Sequence, residues 1–276
     1  VVIRVRGGTS ITQDNTPIYI VDGIQVENAL SVVSPQDIAS IDVLKDASTT
    51  AIYGARGANG VVIITTKSGK SGRTVITYNP TVGFRQISKK MDVLNPYDFV
   101  TWQYERAKLN NDTASFKSTY GSTWDTLNVY KNIEEINWQD KVFGGNATYQ
   151  NHNLAISGGT DKTTYNLSLT RNDEKGIYVN SGFVRNLVNF KFSHKASERL
   201  QMGMSIRYLN QTINGIGTST TDSRVSNRLR HAITYRPFNN TTLADDEFDE
   251  AYYLASSRII NPLVNANAEY RKRFTN

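Results

Sequence analysis

"DVLKDASTTAIYGARGANGVVIITTKSGKSG", residues 42–72, sets a glycine-rich turn, Gly54 to Gly60, between a short polar segment and an apolar β run. Such a turn either cradles a phosphate or lets the chain reverse. A Walker-type loop needs strand, G-x-x-x-x-G-K-[ST], then helix, and a dinucleotide fingerprint also needs a helix after its glycines. Here the order reads helix (Ala47–Tyr53), turn, strand (Gly60–Thr66), and no Lys-Ser or Lys-Thr follows Gly60. The turn therefore reads as structural. Gly54, Gly57 and Gly60 admit positive φ, so a short helix can fold back into a buried strand, with Arg56 at the tip.

The residues before it share the same grammar. Val1–Arg6 and Pro17–Val21 are strand-like, and Asp22-Gly23 is a hairpin turn leading into Ile24–Val26. Ser34 followed by Pro35 predicts a helix start with Ser34 as N-cap. Ile41–Leu44 is a further β run. Residues 1–72 thus read as a small α+β unit.

After Gly72 a period of two takes over. Ile76, Tyr78, Val82 and Phe84 share a face. Tyr165, Leu167 and Leu169 alternate with Thr164, Asn166, Ser168 and Thr170; Val188, Phe190 and Phe192 alternate with Leu187, Asn189, Lys191 and Ser193; Met202, Met204, Ile206 and Tyr208 alternate with Gly203, Ser205 and Arg207. Strands of about ten residues with one apolar and one polar face suit a transmembrane β-barrel. Strands of soluble sheets average only about five to six residues. The connections alternate too. Short turns follow Ser157 and His194, whereas 85–150, 173–184 and everything from 210 onward read as long loops. A helix is predicted from Asn95-Pro96 to about Leu109, and a second over Asn137–Phe143, stopped by Gly144-Gly145.

Composition excludes several classes. With no Cys among 276 residues there is no disulfide and no thiolate metal site, and three scattered His offer no ligand spacing. The net charge of +6 comes with no nucleic-acid-binding motif, so no nucleic acid is expected as partner. The acidic stretch Asp245, Asp246, Glu247, Asp249, Glu250 lacks the spacing of an EF-hand and reads as a solvated loop. No stretch reaches the ~18 apolar residues of a membrane helix, which leaves a strand crossing open. No catalytic constellation is present, so no enzyme and no cofactor are expected.

"IDVLKDASTTAIYGARGANGVVIITTKSGKSG" resembles the plug-domain motif of SusC/RagA-family TonB-dependent outer-membrane transporters, and "IRVRGGTS" and "PIYIVDGIQV" resemble the two earlier plug motifs in order. "INWQDKVF", "QNHNLAISGGTDKTTYNLSLTRNDEKGI" and "SGFVRNLVNFKFSHKASERLQMGMSIRY" resemble the first barrel strands of the same family. The resemblance implies an α+β plug over residues 1–72. From 73 to 276 it implies the start of an antiparallel barrel of about 22 strands with long external loops at 85–150 and 210–262. It implies a piece of a longer importer. The importer would sit in the outer membrane of a Gram-negative bacterium of the Bacteroidota and take up an oligosaccharide or oligopeptide. Its partners would be a SusD-like surface lipoprotein and TonB, the latter gripping an N-terminal box that these residues lack.

By the same resemblance, plug loops that reach the external vestibule would touch the solute, which nominates Arg6, Glu27, Asn28, Tyr53 and Arg56. Lys191 and Arg207 fall on the lumen-facing register, to pair with plug carboxylates or to line the solute path. Tyr165, Leu167, Leu169, Val188, Phe190, Phe192, Met202, Met204, Ile206 and Tyr208 would face lipid. A charge at Phe190 or Met204 should then damage assembly, and one at Asn189 or Ser205 should be tolerated. Two competitors remain at this level: a siderophore or cobalamin receptor without a lipoprotein lid, and a soluble β-rich carbohydrate-binding module.

Overall fold

The computed structural model describes residues 16–45, 53–54, 57, 59–121, 128–215, 224–239, 247–255, 259–268 and 272–275. Arg6, Arg56, the strand expected at Val1–Arg6, nearly all of the helix expected at Ala47–Tyr53, and Asp245 and Asp246 lie outside them.

The N-terminal unit is a four-stranded sheet of β1 (Ile18–Val21), β2 (Ile24–Val26), β3 (Ile38–Leu44) and β4 (Val61–Thr66), in the order β2-β1-β4-β3. β1 and β4 run parallel, pairing Ile18 with Val61 and Val21 with Ile64; the other pairs are antiparallel. β1 and the part of β4 that pairs with it, Val61–Ile64, are apolar throughout because both sheet faces are covered there. Tyr19, Val21, Val62 and Ile64 pack on one face with Ala29, in the short helix α1 (Ala29–Val32), and with Val33 just after it. Ile18, Ile20 and Val61 pack with Leu44 and Tyr53 on the other. The glycine turn delivers β4 to the centre: Gly60 takes φ +93° and donates its N–H to the Gly57 carbonyl at 2.9 Å.

The start expected at Ser34-Pro35 is present but short: Ser34 is the N-cap and Pro35 opens a single 3-10 turn, Pro35–Asp37, while the buried Ser34 hydroxyl makes no capping hydrogen bond. The chain has no room for a second turn, because β3 begins at Ile38 and pairs with β4.

Gly69 then carries the link to the second sheet. A Cβ there would lie 2.3 Å from the Tyr165 carbonyl oxygen, so a glycine lets the linker lie flat on the wall. That wall is a six-stranded antiparallel sheet in simple meander order. Its strands are β5 (Gly72–Arg85), β6 (Ala147–Gly159), β7 (Thr163–Lys175), β8 (Gly182–Lys195), β9 (Gln201–Asn214) and β10 (Lys272–Thr275). The first five have 13 or 14 residues, more than the 9–11 that cross a hydrocarbon core at a tilt of about 45°.

They outrun the apolar alternation because the ladder continues through polar residues at one end. The segment Thr148–Asn153 and the run Asp173-Glu174-Lys175 are paired strand, not loop. Three loop assignments change as a result. The loop expected at 85–150 shortens to 86–146, the connection expected at 173–184 is a six-residue turn, 176–181, and the strand expected to end near Leu209 continues to Asn214, where β10 pairs with it.

The long connections fold. Helices α2 (Pro96–Leu109), α3 (Thr113–Tyr120) and α4 (Trp138–Phe143) come from residues 86–146. Helices α5 (Arg224–Thr234), α6 (Glu250–Ala255) and α7 (Pro262–Ala268) come from 215–271. α2 begins as expected, with Asn95 accepting from the Asp98 N–H at 2.9 Å and Pro96 in the first turn. The two loops share cores: Phe99, Val100 and Phe116 pack with Phe238, and Trp138 and Val142 with Ala232, Tyr235 and Tyr252. In the acidic stretch Glu247 and Glu250 are exposed as expected, but Asp249 is half-buried and pairs with the buried Arg236 guanidinium, whose carbon lies 4.6 Å over the Tyr252 ring.

Candidate functional site at the junction of plug and wall

The wall is buried on the wrong side for a water-soluble sheet. Cross-strand register lines up Ile76, Ile156, Leu167, Phe190 and Ile206 in one row and Tyr78, Leu154, Leu169, Val188 and Tyr208 in the next. These rows point away from the N-terminal unit, with Ile76 66%, Ile206 48% and Tyr208 53% exposed. The opposite face is polar and covered, with Ser168 1%, Asn153 2% and Asn189 6% exposed.

What covers it is the four-stranded unit, held at two carboxylates. The first is Asp22. It sits in the two-residue turn between β1 and β2 with φ 48°, followed by Gly23 at φ 87°, the left-handed pair of a type I′ hairpin. That turn aims the carboxylate at β4 and the wall together. Oδ1 accepts from the Thr66 N–H at 2.9 Å and from Lys191 Nζ at 2.8 Å. Oδ2 accepts from the Thr66 hydroxyl at 2.6 Å and from the Arg207 guanidinium. Lys191 and Arg207 reach back to plug carbonyls, Thr66 O at 3.1 Å and Val21 O at 3.4 Å. Burial alone would push the Asp22 carboxyl up. Hydrogen bonds from Lys191 and Thr66 and the Lys191 charge outweigh it and hold the group at about 2.

The second is Asp37, which is buried and meets a neutral part of the wall. Its Oδ1 accepts from the Ser168 hydroxyl at 2.5 Å and the Asn153 amide at 3.4 Å. Asn153 also donates to Thr170 Oγ1 at 2.8 Å, and Asn166 donates to the Lys67 carbonyl at 3.1 Å. β6 and β7 thus supply uncharged donors, and β8 and β9 supply cations. Beside the Asp22 latch a cavity of about 310 Å³ opens between Ser68, Gly69, Thr164, Lys191 and Ser205.

Of the residues nominated from sequence, Lys191 and Arg207 converge on Asp22. Glu27 and Asn28 are exposed beyond β2. Tyr53 is half-buried against the plug core. The Asp22–Gly23 turn itself lies against the wall, at Lys191 and Arg207. Sequence reasoning missed Asp22, Thr66, Asp37, Asn153 and Ser168 as a set. Their signal was present only as polarity at every second position of β6 and β7 and as an acidic residue in a hairpin turn.

A plug-like sheet bound to the polar face of long antiparallel strands, with the apolar face outward, is the arrangement of a plug against part of a β-barrel wall. The comparisons with known proteins agree. Residues 2–61 match the TonB-dependent Receptor Plug Domain family. The chain is 34% identical over 219 residues to the TonB-dependent receptor SusC of Bacteroides thetaiotaomicron, covering 75% of this chain and 20% of that protein. It is 29% identical over 281 residues to the TonB-dependent receptor P26 of Formosa agariphila, covering 99% of this chain and 26% of that one. Its fold matches the RagAB peptide importer in the closed-closed state with a TM-score of 0.66 and 25% identity, over 89% of this chain and 30% of that one. The chain belongs to the SusC/RagA family of TonB-dependent receptors. It spans roughly a fifth to a quarter of the length of the curated relatives it matches. These relatives are receptors, not enzymes.

Proposed function

We propose that this chain forms the plug and first wall strands of an outer-membrane importer that takes up a large nutrient, an oligosaccharide or oligopeptide, with energy delivered through TonB. A SusD-like surface lipoprotein would cover the long-loop end. The observation that carries this reading is the inverted burial of the wall: apolar side chains outward across five strands, polar side chains inward under the plug. Such a surface suits lipid on one side and a filled lumen on the other. It disfavours the soluble carbohydrate-binding module, which would bury its apolar face.

In this reading Asp22 and Asp37 hold the plug at rest, and import requires both attachments to yield. Ion pairs and single hydrogen bonds suit that task because they release over short displacements, unlike an interdigitated apolar interface. Glu27, Asn28, Arg6, Arg56 and the exposed edge of Tyr53 are the proposed plug contacts for the solute.

The test is deletion of the full-length gene in its own host, followed by growth on single oligomeric nutrients. Loss of growth on one oligomer class, restored by the intact gene but not when TonB is absent, is the expected result. Unchanged growth on every oligosaccharide and oligopeptide, together with growth defects limited to iron or cobalamin supply, would instead support the lidless receptor.

A further inference from the structure

The outer face of the wall carries a feature that bulk lipid contact does not require. Along the apolar rows, toward the long-loop end, the outward register passes through Leu154 to His152 on β6, from Leu169 to Arg171 on β7 and from Val188 to Asn186 on β8. At that margin lies an open groove of about 340 Å³, floored by Leu154, Leu169 and Val188 and ending at Arg171. One side is a rigid pair: the Tyr78 and His152 rings stack at 6.1 Å and 9°, joined by a 2.8 Å bond between Tyr78 Oη and His152 Nδ1. The Arg171 guanidinium is pinned at the groove's head by Asn186 Oδ1 at 3.1 Å. It also touches Asp173 at 3.4 Å, with the two side chains 53% and 41% exposed. A contact that loose and wet contributes little, and an anion of higher charge density replaces it readily.

We propose that this groove is a binding site for one phosphorylated acyl lipid of the surrounding leaflet, its acyl chain on Leu154, Leu169 and Val188 and its phosphate on Arg171. The inference rests on the outer-membrane reading above. Two physical requirements single out this occupant. The floor is almost wholly apolar, so a soluble anion has nothing to gain there beyond Arg171. A neutral lipid would fill the floor and leave the guanidinium, at the edge of the hydrocarbon, without a better partner than Asp173. Only a ligand with both parts satisfies the whole groove. Arginine suits the head position because its planar fork grips phosphate in bidentate fashion.

The experiment uses the full-length receptor, purified in detergent after its location in the outer-membrane fraction has been established, and counts bound lipid by native mass spectrometry. The probes are a diphosphorylated lipid A, the same lipid stripped of phosphate, and inorganic phosphate. Wild type should hold lipid A about fivefold more tightly than Arg171→Ala, the effect of one basic contact at a membrane surface. The two should hold the stripped lipid equally. Val188→Trp, which fills the groove without adding charge to the lipid face, should lose lipid A while keeping the Arg171 guanidinium. Equal lipid A retention by wild type, Arg171→Ala and Val188→Trp overturns the site, as does full displacement of lipid A by inorganic phosphate. Failure of the wild type to fractionate with the outer membrane would sink the functional reading itself, and is scored before any lipid is added.

Discussion

At the scale of single residues, Asp22 concentrates the chemistry. One carboxylate serves a turn, a neighbouring strand and two cations of the wall. Asp22→Asn should destabilise the plug–wall junction by about 3–5 kcal/mol, because it leaves Lys191 and Arg207 partly buried without a counter-charge. Chemical unfolding of the full-length receptor, followed by protection of the plug from proteolysis, measures this. The acid dependence has a definite sign. The folded pKa of Asp22 lies near 2, below its ordinary 3.8. Its ionic contribution is therefore complete above about pH 4 and is lost as the pH falls toward 2. The stability gap between wild type and Asp22→Asn should be constant from pH 8 to 5 and shrink below 4. A gap that shrinks between pH 7 and 5 would assign the effect to another group.

At the scale of elements, the strands make opposite demands on their two faces. Phe190→Lys, at the centre of the outward rows, should cost about 2–4 kcal/mol of barrel stability. Ser205→Lys, exposed in this structure, should assemble normally. Heat-modifiable migration of the full-length protein separates the two. Asn189 departs from the simple rule that polar-face positions accept charge. It is 6% exposed beneath the plug, so Asn189→Lys should dislodge the plug while leaving the wall assembled. The period-two pattern marks which face a residue belongs to, but it carries no information on what lies against that face. The same limit explains the strand ends. Where both faces turn polar, as over Thr148–Asn153 and Asp173–Lys175, hydrophobic alternation vanishes although the hydrogen-bonded ladder continues.

At the scale of the whole molecule, the two long loops behave as one helical body. Trp138 Nε1 donates to the Arg236 carbonyl at 2.8 Å, the Ile136 N–H donates to the Pro237 carbonyl at 2.8 Å, and Arg236 is buried against Asp249. Asp249→Asn, which strands the Arg236 guanidinium among Tyr235, Phe238 and Tyr252, should open both loops to protease at once. Limited proteolysis of the full-length receptor checks this. Cleavage confined to 215–271 would mean that the loops fold separately.

The sequence by itself determined the elements whose signals are local: the glycine reversal into β4, the Asp22-Gly23 hairpin, the capped starts at Asn95 and Asn137, and the two-faced strands of the wall. It also carried the family, because the plug motifs are contiguous. Tertiary structure alone decided that Lys191 and Arg207, sixteen residues apart in a chain numbered 1–276, meet on one carboxylate more than 160 residues upstream. It also decided that Asp37 takes the neutral half of the wall and that Arg236 draws Asp249 out of its acidic stretch. The physical reason is one of range. Turn, cap and alternation energies depend on neighbours a few residues away, and so are written in consecutive letters. A buried ion pair depends on register across several strands and on the docking of one sheet against another, which no short window of residues contains.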